Sequence, residues 1–331
     1  MKKFLFLTAT YILAIGSLDA AQLSGRGASF PAPLYSAWIS EYNKASGVEI
    51  NYTPTGSGDG IKSIKKRVVD FAGSDKPLKA KKISKYKLYM FPTVVGSIVL
   101  AYNIDGIKDS ELKLSREAIA AIFSGKAKFW DDEIIKKDNA ILKLPHTAIT
   151  TCIRADKSGT TYNFTYFLNK IDSNFKVSKK PKWSATKVIA GKSNAGVSAN
   201  IKQINGAIGY IEYSYKLKEN LAAAQIQNRA GKFITPTIKS FQDAAKYAKW
   251  SAKDNFYALI ADPEGDSGYP IVAATFILLP QEKNDTNKEI IKFFDWAFTN
   301  GDKSAQNLGY VPLPKESKDA IRAYWRDKGV Y

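Results

Sequence analysis

Apolar and polar positions along this chain alternate between two rhythms. Short apolar runs over residues 48–52, 97–102 and 149–153 are each followed by a stretch with a period near 3.6, over 61–69, 116–123 and 160–171. A period of two puts successive side chains on opposite faces of a strand, whereas 3.6 gathers an apolar stripe along a helix. The alternation predicts an α/β fold, with helices covering both faces of its sheets. Two strand-like stretches, 93–102 and 269–279, are long and apolar. They are suited to carrying the chain between two lobes, which would make the first lobe discontinuous in sequence. Near the end, residues 290–298 read as an amphipathic helix stopped by Asn300-Gly301, and another helix covers 317–328. No internal repeat, low-complexity tract or linker interrupts this pattern.

The first residues obey a different rule. Lys2 and Lys3 precede an apolar run over 4–18, shorter than the roughly 20 residues a membrane-spanning helix needs, and the pair reads as a secretory leader. Cleavage is expected after Ala20, although Leu18 is bulkier than the small residue preferred there. No Cys follows to accept a lipid. The remaining residues 21–331 are long enough to favour two domains over one core. No later segment reaches about 18 consecutive apolar residues. The single Cys152 excludes an internal disulfide and a cysteine-ligated metal cluster; within the strand-like 148–153 it reads as a small hydrophobe.

The formal charge is +18, and loss of Lys2, Lys3 and Asp19 with the leader leaves +17. Such a surplus points to anionic surroundings or an anionic ligand. The lysines fall in short clusters such as Lys79-Ala80-Lys81-Lys82 and Lys179-Lys180, without the interleaved aromatics of an RNA-binding motif.

Candidate chemistry lies in Gly/Ser-rich turns that precede helical patterns. The first is Gly25-Arg26-Gly27-Ala28-Ser29-Phe30-Pro31-Ala32-Pro33-Leu34, with Pro33 tolerated in a first helical turn. The second is Thr55-Gly56-Ser57-Gly58-Asp59-Gly60, and the third Arg154-Ala155-Asp156-Lys157-Ser158-Gly159-Thr160-Thr161. Helix starts expose unpaired N–H groups and partial positive charge, small residues let an anion approach them, and hydroxyls add donors. Arg154 can meet two oxygens of a tetrahedral oxyanion through its planar fork, and Asp156 is spaced to hold it still. A fourth element, Val69-Asp70-Phe71-Ala72-Gly73-Ser74-Asp75-Lys76-Pro77-Leu78, puts the carboxylate of Asp75 at a strand end.

In this order the four elements resemble the periplasmic phosphate-binding proteins of the high-affinity phosphate ABC importer. The likeness extends through Phe91-Pro92-Thr93, Gly206-Ala207-Ile208-Gly209-Tyr210-Ile211-Glu212-Tyr213 and Lys292-Phe293-Phe294-Asp295-Trp296, across essentially the whole mature chain. The resemblance implies a type II periplasmic-binding-protein fold: two α/β lobes joined by a hinge, with the ligand cleft between them. Lobe I would comprise residues 21–94 and 268–331, and lobe II residues 95–267. It further implies that Ala28, Ser29 and Phe30 (the last through its backbone), Ser57, Asp75, Arg154, Ser158, Gly159 and Thr160 bind inorganic phosphate, with Asp156 orienting Arg154. The partners implied are a membrane permease and its ATPase. A periplasmic location, a monomer, and no cofactor, metal or nucleic acid are expected.

Asp75 has a physical role in this reading. A carboxylate facing an anion repels it unless a proton lies between them, which hydrogen phosphate supplies and fully ionised sulfate does not. A site that must satisfy such a bond rejects the analogue lacking it by roughly 10⁴-fold or more. Two positions depart from the family pattern: Asp59 stands within a run of small residues, and Lys157 replaces a more usual Gly. Asp59 fits a helix's first turn; alternatively, Asp59 and Lys157 would pair across the cleft on closure. Ser29 stands where the family often has Thr, and the hydroxyl is kept.

Rival functions find less support. His146, the only His, sits in the loop Leu144-Pro145-His146-Thr147, and no Ser–His–Asp set or His-based metal cluster accompanies it. Asp131-Asp132-Glu133 reads as a solvated helix end. Gly191-Lys192-Ser193 resembles the end of a P-loop, but Thr186 stands where its first Gly is required. A sulfate-binding protein is disfavoured by Asp75. A surface adhesin or nucleic-acid binder would rest on charge alone.

Overall fold

The computed structural model describes residues 22–331, and the expected leader over 1–20 lies outside them. The elements that frame the site run, in chain order, β1 (Leu23–Gly27), α1 (Ala32–Ser46), β2 (Ile50–Thr53), α2 (Ser57–Lys65), β3 (Phe71–Ser74) and β4 (Leu88–Asn103). They continue with β5 (Thr150–Arg154), α3 (Gly159–Ile171), β6 (Val188–Gly191), α4 (Ser193–Gln203), β7 (Ala207–Glu212), α5 (Tyr213–Glu219), β8 (Val272–Pro280), α6 (Asn284–Asn300) and α7 (Lys315–Asp327).

The strands line up in the order β2-β1-β3-β8-β4-β7-β5-β6. β1 pairs in parallel with β2 and β3, and β5 in parallel with β6 and β7. The two parallel groups are joined by antiparallel pairs through β8 and β4. β4 changes partner along its length: Leu88 to Ser97 face β8, and Ile98 to Asn103 face β7. Its nearly unbroken burial explains the long apolar run in the sequence, as expected of a strand covered on both faces.

Pro92 interrupts that strand's ladder because it has no N–H to give. Opposite it the register slips: Val94 pairs with Thr275 but Pro92 with Phe276, which leaves Thr93 as the extra residue of a bulge. The Thr93 hydroxyl is tied to Tyr35 at 2.6 Å and donates to the Thr275 carbonyl at 3.3 Å. This irregularity lies beside the site described below.

Helices α1, α6 and α7 cover the first group of strands, and aromatic rings fill the layer between. Tyr35 meets Phe294 at 5.8 Å, and Phe91 meets Trp325 at 5.0 Å, both edge to face. In the second group Phe164 stacks on Tyr210 at 4.5 Å and meets Phe123 at 4.7 Å. Cys152 lies buried on β5 among apolar neighbours, where burial pushes its thiol up to about 12. His146 is exposed, stacked on Phe129, with Nδ1 3.0 Å from Asp131.

Candidate functional site

Four strand-to-helix turns meet where the two groups of strands face each other. β1 ends in Gly27, whose φ of 142° favours glycine and whose Cβ, if present, would lie 2.1 Å from the Gly73 carbonyl. This close approach seats Ala28 against β3, where its N–H donates to Gly73 at 2.9 Å and its carbonyl accepts from the Tyr52 hydroxyl at 2.8 Å. Ser29 and Phe30 follow, both buried, just ahead of α1. Their carbonyls accept from the Tyr215 and Tyr310 hydroxyls, each at 2.7 Å.

The second turn begins at Gly56, with φ 100°, and α2 starts at Ser57 rather than at the onset of apolar periodicity at Ile61. Ser57 is fully buried. Its Oγ accepts from the Asp75 N–H at 3.1 Å and donates to Asp75 Oδ2 at 3.3 Å. Asp75 Oδ1 accepts from the Thr275 hydroxyl at 2.7 Å, so the bulged stretch of β4 and β8 supports the acid directly. Burial pushes the Asp75 carboxyl up to about 7, against the Thr275 hydroxyl, the Arg154 charge and the Ser57 hydroxyl, which all pull it down.

The third turn comes from the other group of strands. Arg154 ends β5 and is buried. Its Nε and one Nη donate to the two oxygens of Asp156 at 2.9 and 2.7 Å, and the other Nη donates to Thr160 Oγ1 at 3.1 Å. A guanidinium has five N–H groups; two are left for a guest, one on each terminal nitrogen. Burial would push Asp156 up, yet the Arg154 fork and the Ser193 N–H hold its carboxyl below the usual range. Ser158 caps α3 by accepting from the Thr161 N–H at 3.0 Å, which leaves its hydroxyl hydrogen free.

At Gly159 the two sides come close together. A Cβ there would lie 2.3 Å from Ser57 Oγ and 2.6 Å from Asp75 Oδ2. Nearby, the Asn163 side chain donates to the Asp75 carbonyl at 2.7 Å, and the Gly58 N–H donates to the Lys157 carbonyl at 2.8 Å. Ser29, Ser57, Asp75, Arg154, Ser158, Gly159 and Thr160 are thus gathered into one buried neighbourhood, with Ala28 and Phe30 at its edge through their backbone.

Sequence reasoning missed the fourth turn. The segment Gly191-Lys192-Ser193-Asn194, set aside as a failed P-loop, leads from β6 into α4, and Ser193 adopts a left-handed φ of 62°. The backbone N–H and the side-chain amide of Asn194 both donate to Ser29 Oγ at 3.1 Å, and the amide also reaches Thr160 Oγ1 at 3.4 Å. Asn194 Oδ1 accepts from the Glu212 N–H at 3.1 Å. The signal was present: a strand-like run, a Gly and a Ser before a helix, the same grammar as the other three turns.

Glu212 is the second residue missed. It is fully buried; its Oε2 accepts from the Ser214 N–H at 2.8 Å, while Oε1 has no partner among the described residues. Burial pushes its carboxyl up to about 8, with the Asp75 charge adding to the rise and the Ser214 bonds opposing it.

Of the two readings of Asp59, the structure contains the acid in a helix's first turn and not the pairing with Lys157. Asp59 accepts from the Thr55 hydroxyl at 2.7 Å and lies 3.7 Å from Arg26. It sits in α2's first turn beside the end of β1, so the nearer guanidinium takes it. Lys157 meets the opposite turn through its carbonyl. A surface hollow of about 620 Å³ lined by Phe123, Lys126, Phe175 and Trp183 shares none of the gathered residues. Among the described residues no group of three or more His, Cys, Asp or Glu is placed to hold a metal, and no helix is long and apolar enough to cross a membrane.

The family model described as PBP superfamily domain matches residues 14–300. The Phosphate-binding protein PstS of Haemophilus influenzae is 40% identical over 325 residues, covering 96% of this chain and 97% of its own. The protein of the same name from Pasteurella multocida is 39% identical over 331 residues, covering 98% and 96%. Among solved structures, a high affinity periplasmic phosphate-binding protein, PfluDING, bound with phosphate, superposes with a TM-score of 0.75 at 22% identity, over 91% of this chain and 93% of that one.

Proposed function

This chain belongs to the Phosphate-binding protein PstS family within the PBP superfamily, and on that premise we propose that it captures inorganic phosphate in the periplasm and delivers it to the permease and ATPase of a phosphate ABC importer. The observation that carries this reading is the convergence of Ser57 and Asp75 from one side with Arg154, Gly159 and Thr160 from the other. No bond of the ligand is made or broken. The protein acts as a monomer.

Within this proposal the lobes divide as residues 21–94 with 268–331, and 95–267. The change of partner along β4 between Ser97 and Ile98 supports a crossing in that strand. Phosphate enters between the lobes, and closure exchanges its water for fixed donors. These are the two free Arg154 N–H groups, the hydroxyl hydrogens of Ser29 and Ser158, the Thr160 hydroxyl, and backbone N–H groups at the starts of α1, α2 and α3; Ser57 joins them when its hydroxyl hydrogen, held by Asp75 Oδ2 at 3.3 Å, turns to the guest and leaves that oxygen open to the guest's own proton. Ala28 and Phe30 contribute through the backbone. Asp156 neutralises Arg154, so the site has little net charge to give. The dianion is held chiefly by oriented dipoles in a dry setting, where they act strongly. Asp75 is the one acceptor facing the guest, and it requires a proton on it. For delivery, the bound ligand must shift the open–closed equilibrium toward the closed form that the permease recognises.

The test is isothermal titration after exhaustive removal of phosphate, with sulfate as control. Saturable binding of one phosphate per chain, with sulfate at least about 10⁴-fold weaker, is expected. Equal binding of the two anions, or none of phosphate, overturns the proposal.

A further inference from the structure

The charge surplus was left without a place by the sequence, and part of it has one in the fold. Lys76 directly follows Asp75; Lys157 lies between Asp156 and Ser158; and the Lys179 carbonyl accepts the Ser158 N–H at 3.0 Å. Each of these lysines is therefore one residue, or one hydrogen bond, from the gathered site, and they come from both sides of it. Lys76 reaches across, with Nζ 4.4 Å from the ring centroid of Tyr162 on α3. Among the described residues, the ion pairs engage other cations and none of these three. The closeness of Lys76 and Lys157 to Lys179 shows in the acidity of Lys179. Burial and then the charges of Lys76, Lys157, Lys82 and Lys65 push Lys179 down to about 8, and burial with Lys82 and Lys79 lowers Lys76.

Unpaired like charges held together are a cost to the fold, the more so where burial keeps water and salt from screening them. A carboxylate nearby would relieve that cost, and elsewhere on this surface lysines do pair in that way, as Lys315 does with Asp319. At the cleft mouth they do not. The interior offers a dianion little net charge, because Arg154 is spent on Asp156 and Asp75 is itself acidic. Long-range attraction must then come from outside the site.

We propose that Lys76, Lys157 and Lys179 form an outer anion-collecting station at the cleft mouth, which holds hydrogen phosphate loosely and raises its rate of entry without taking part in its final grip. The inference rests on the phosphate-capture reading and adds to it a kinetic role for three residues outside the binding set. A charged rim of this kind speeds association by roughly 10- to 10³-fold at low salt and loses its effect as salt is added. Phosphate drawn to the rim still carries its water, so escape from the closed form is not governed by these side chains.

The experiment is stopped-flow mixing of phosphate-free protein with inorganic phosphate, followed by tryptophan emission, over a series of ionic strengths. A chase with excess competing binder gives the release rate. The variant Lys76→Met/Lys157→Met/Lys179→Met keeps the aliphatic stems and removes three charges. A control, Lys44→Met/Lys303→Met/Lys328→Met, removes the same charge from exposed positions on or at the end of helices. The wild type and the control are expected to share a steep fall of the association rate with salt. The rim variant is expected to associate about tenfold or more slowly at low salt, with a flattened salt slope and a release rate within about twofold of wild type. Equal slowing in control and rim variants would assign the effect to net charge and overturn the station. So would an unchanged association rate, or faster release, which would make the lysines part of the grip. Failure of the wild type to bind phosphate in titration would instead defeat the functional reading on which the station rests.

Discussion

Gly159→Ala adds one methyl group where the two lobes touch. Its Cβ would lie 2.3 Å from Ser57 Oγ, 2.6 Å from Asp75 Oδ2 and 2.7 Å from Asp75 Cβ, each about 1 Å inside ordinary contact. Neither neighbour is free to retreat, because Ser57 Oγ is tied to the Asp75 N–H and Asp75 Oδ1 to the Thr275 hydroxyl. The backbone of residue 159 lies outside the left-handed region, in the first turn of α3, where Ala is a better helix former than Gly. The second lobe alone therefore tolerates the change, and the strain falls on closure. A hinge that stops about 1 Å short moves donors on one lobe out of the 2.7–3.2 Å window for a guest held by the other. Loss of two such bonds to a charged ligand, at about 1.5–3 kcal/mol each, weakens phosphate binding by about 10²- to 10⁴-fold. Titration calorimetry reads the affinity, and thermal melting of the phosphate-free protein, expected within about 2 °C of wild type, reads the fold. An affinity within threefold of wild type would refute the idea that this contact sets the closed geometry.

Two further outcomes are expected from the buried acids. Asp75→Asn turns an acceptor into a donor, so sulfate should bind measurably and the phosphate-to-sulfate ratio should fall by about 10²-fold or more; an unchanged ratio in competition titrations removes the role given to Asp75. Because the Asp75 carboxyl titrates near 7, the wild type should also discriminate less at pH 5.5, where the acid carries its own proton, than at pH 8.5. Asp75 and Glu212 both have carboxyls raised in the folded state, to about 7 and about 8. Their contribution is complete below the ordinary carboxylate range and is lost as pH rises through those values. The phosphate-free protein should therefore melt at lower temperature at pH 9 than at pH 5. At about 1.4 kcal/mol per pKa unit, Glu212 accounts for a loss on the order of 4 kcal/mol, and Glu212→Gln should flatten that slope; a parallel slope in the variant counts against a protonated Glu212.

How much of this was legible in the sequence depends on whether the cause was local. The alternation of strands and helices was, because burial on one face or two imposes its own period on the residues concerned; residues 116–123 and 160–171 emerge as helices of nearly those bounds. The start of α2 was not. Its first turn, Ser57-Gly58-Asp59-Gly60, has no apolar stripe and poor helix formers, and the helix begins there because Gly56 turns the chain and the opposite lobe needs small residues beside Lys157. Asp59 shows the same limit from the other side: an acid two residues into a helix was recognisable, but its choice of Arg26 follows from the end of β1 lying beside α2, a packing that no spacing reveals. The fourth turn was the largest omission. Asn194 meets Ser29 across 165 positions of sequence, and the P-loop template asked of Gly191-Lys192-Ser193 a spacing that phosphate esters of nucleotides need and a lone anion does not. Judged instead by what any anion requires, a small residue at a strand end and free N–H groups at a helix start, that segment belongs with the other three. A single tetrahedral guest thus selects for the chemistry of the turns around it, small residues and unpaired N–H groups, and leaves the letters between them free.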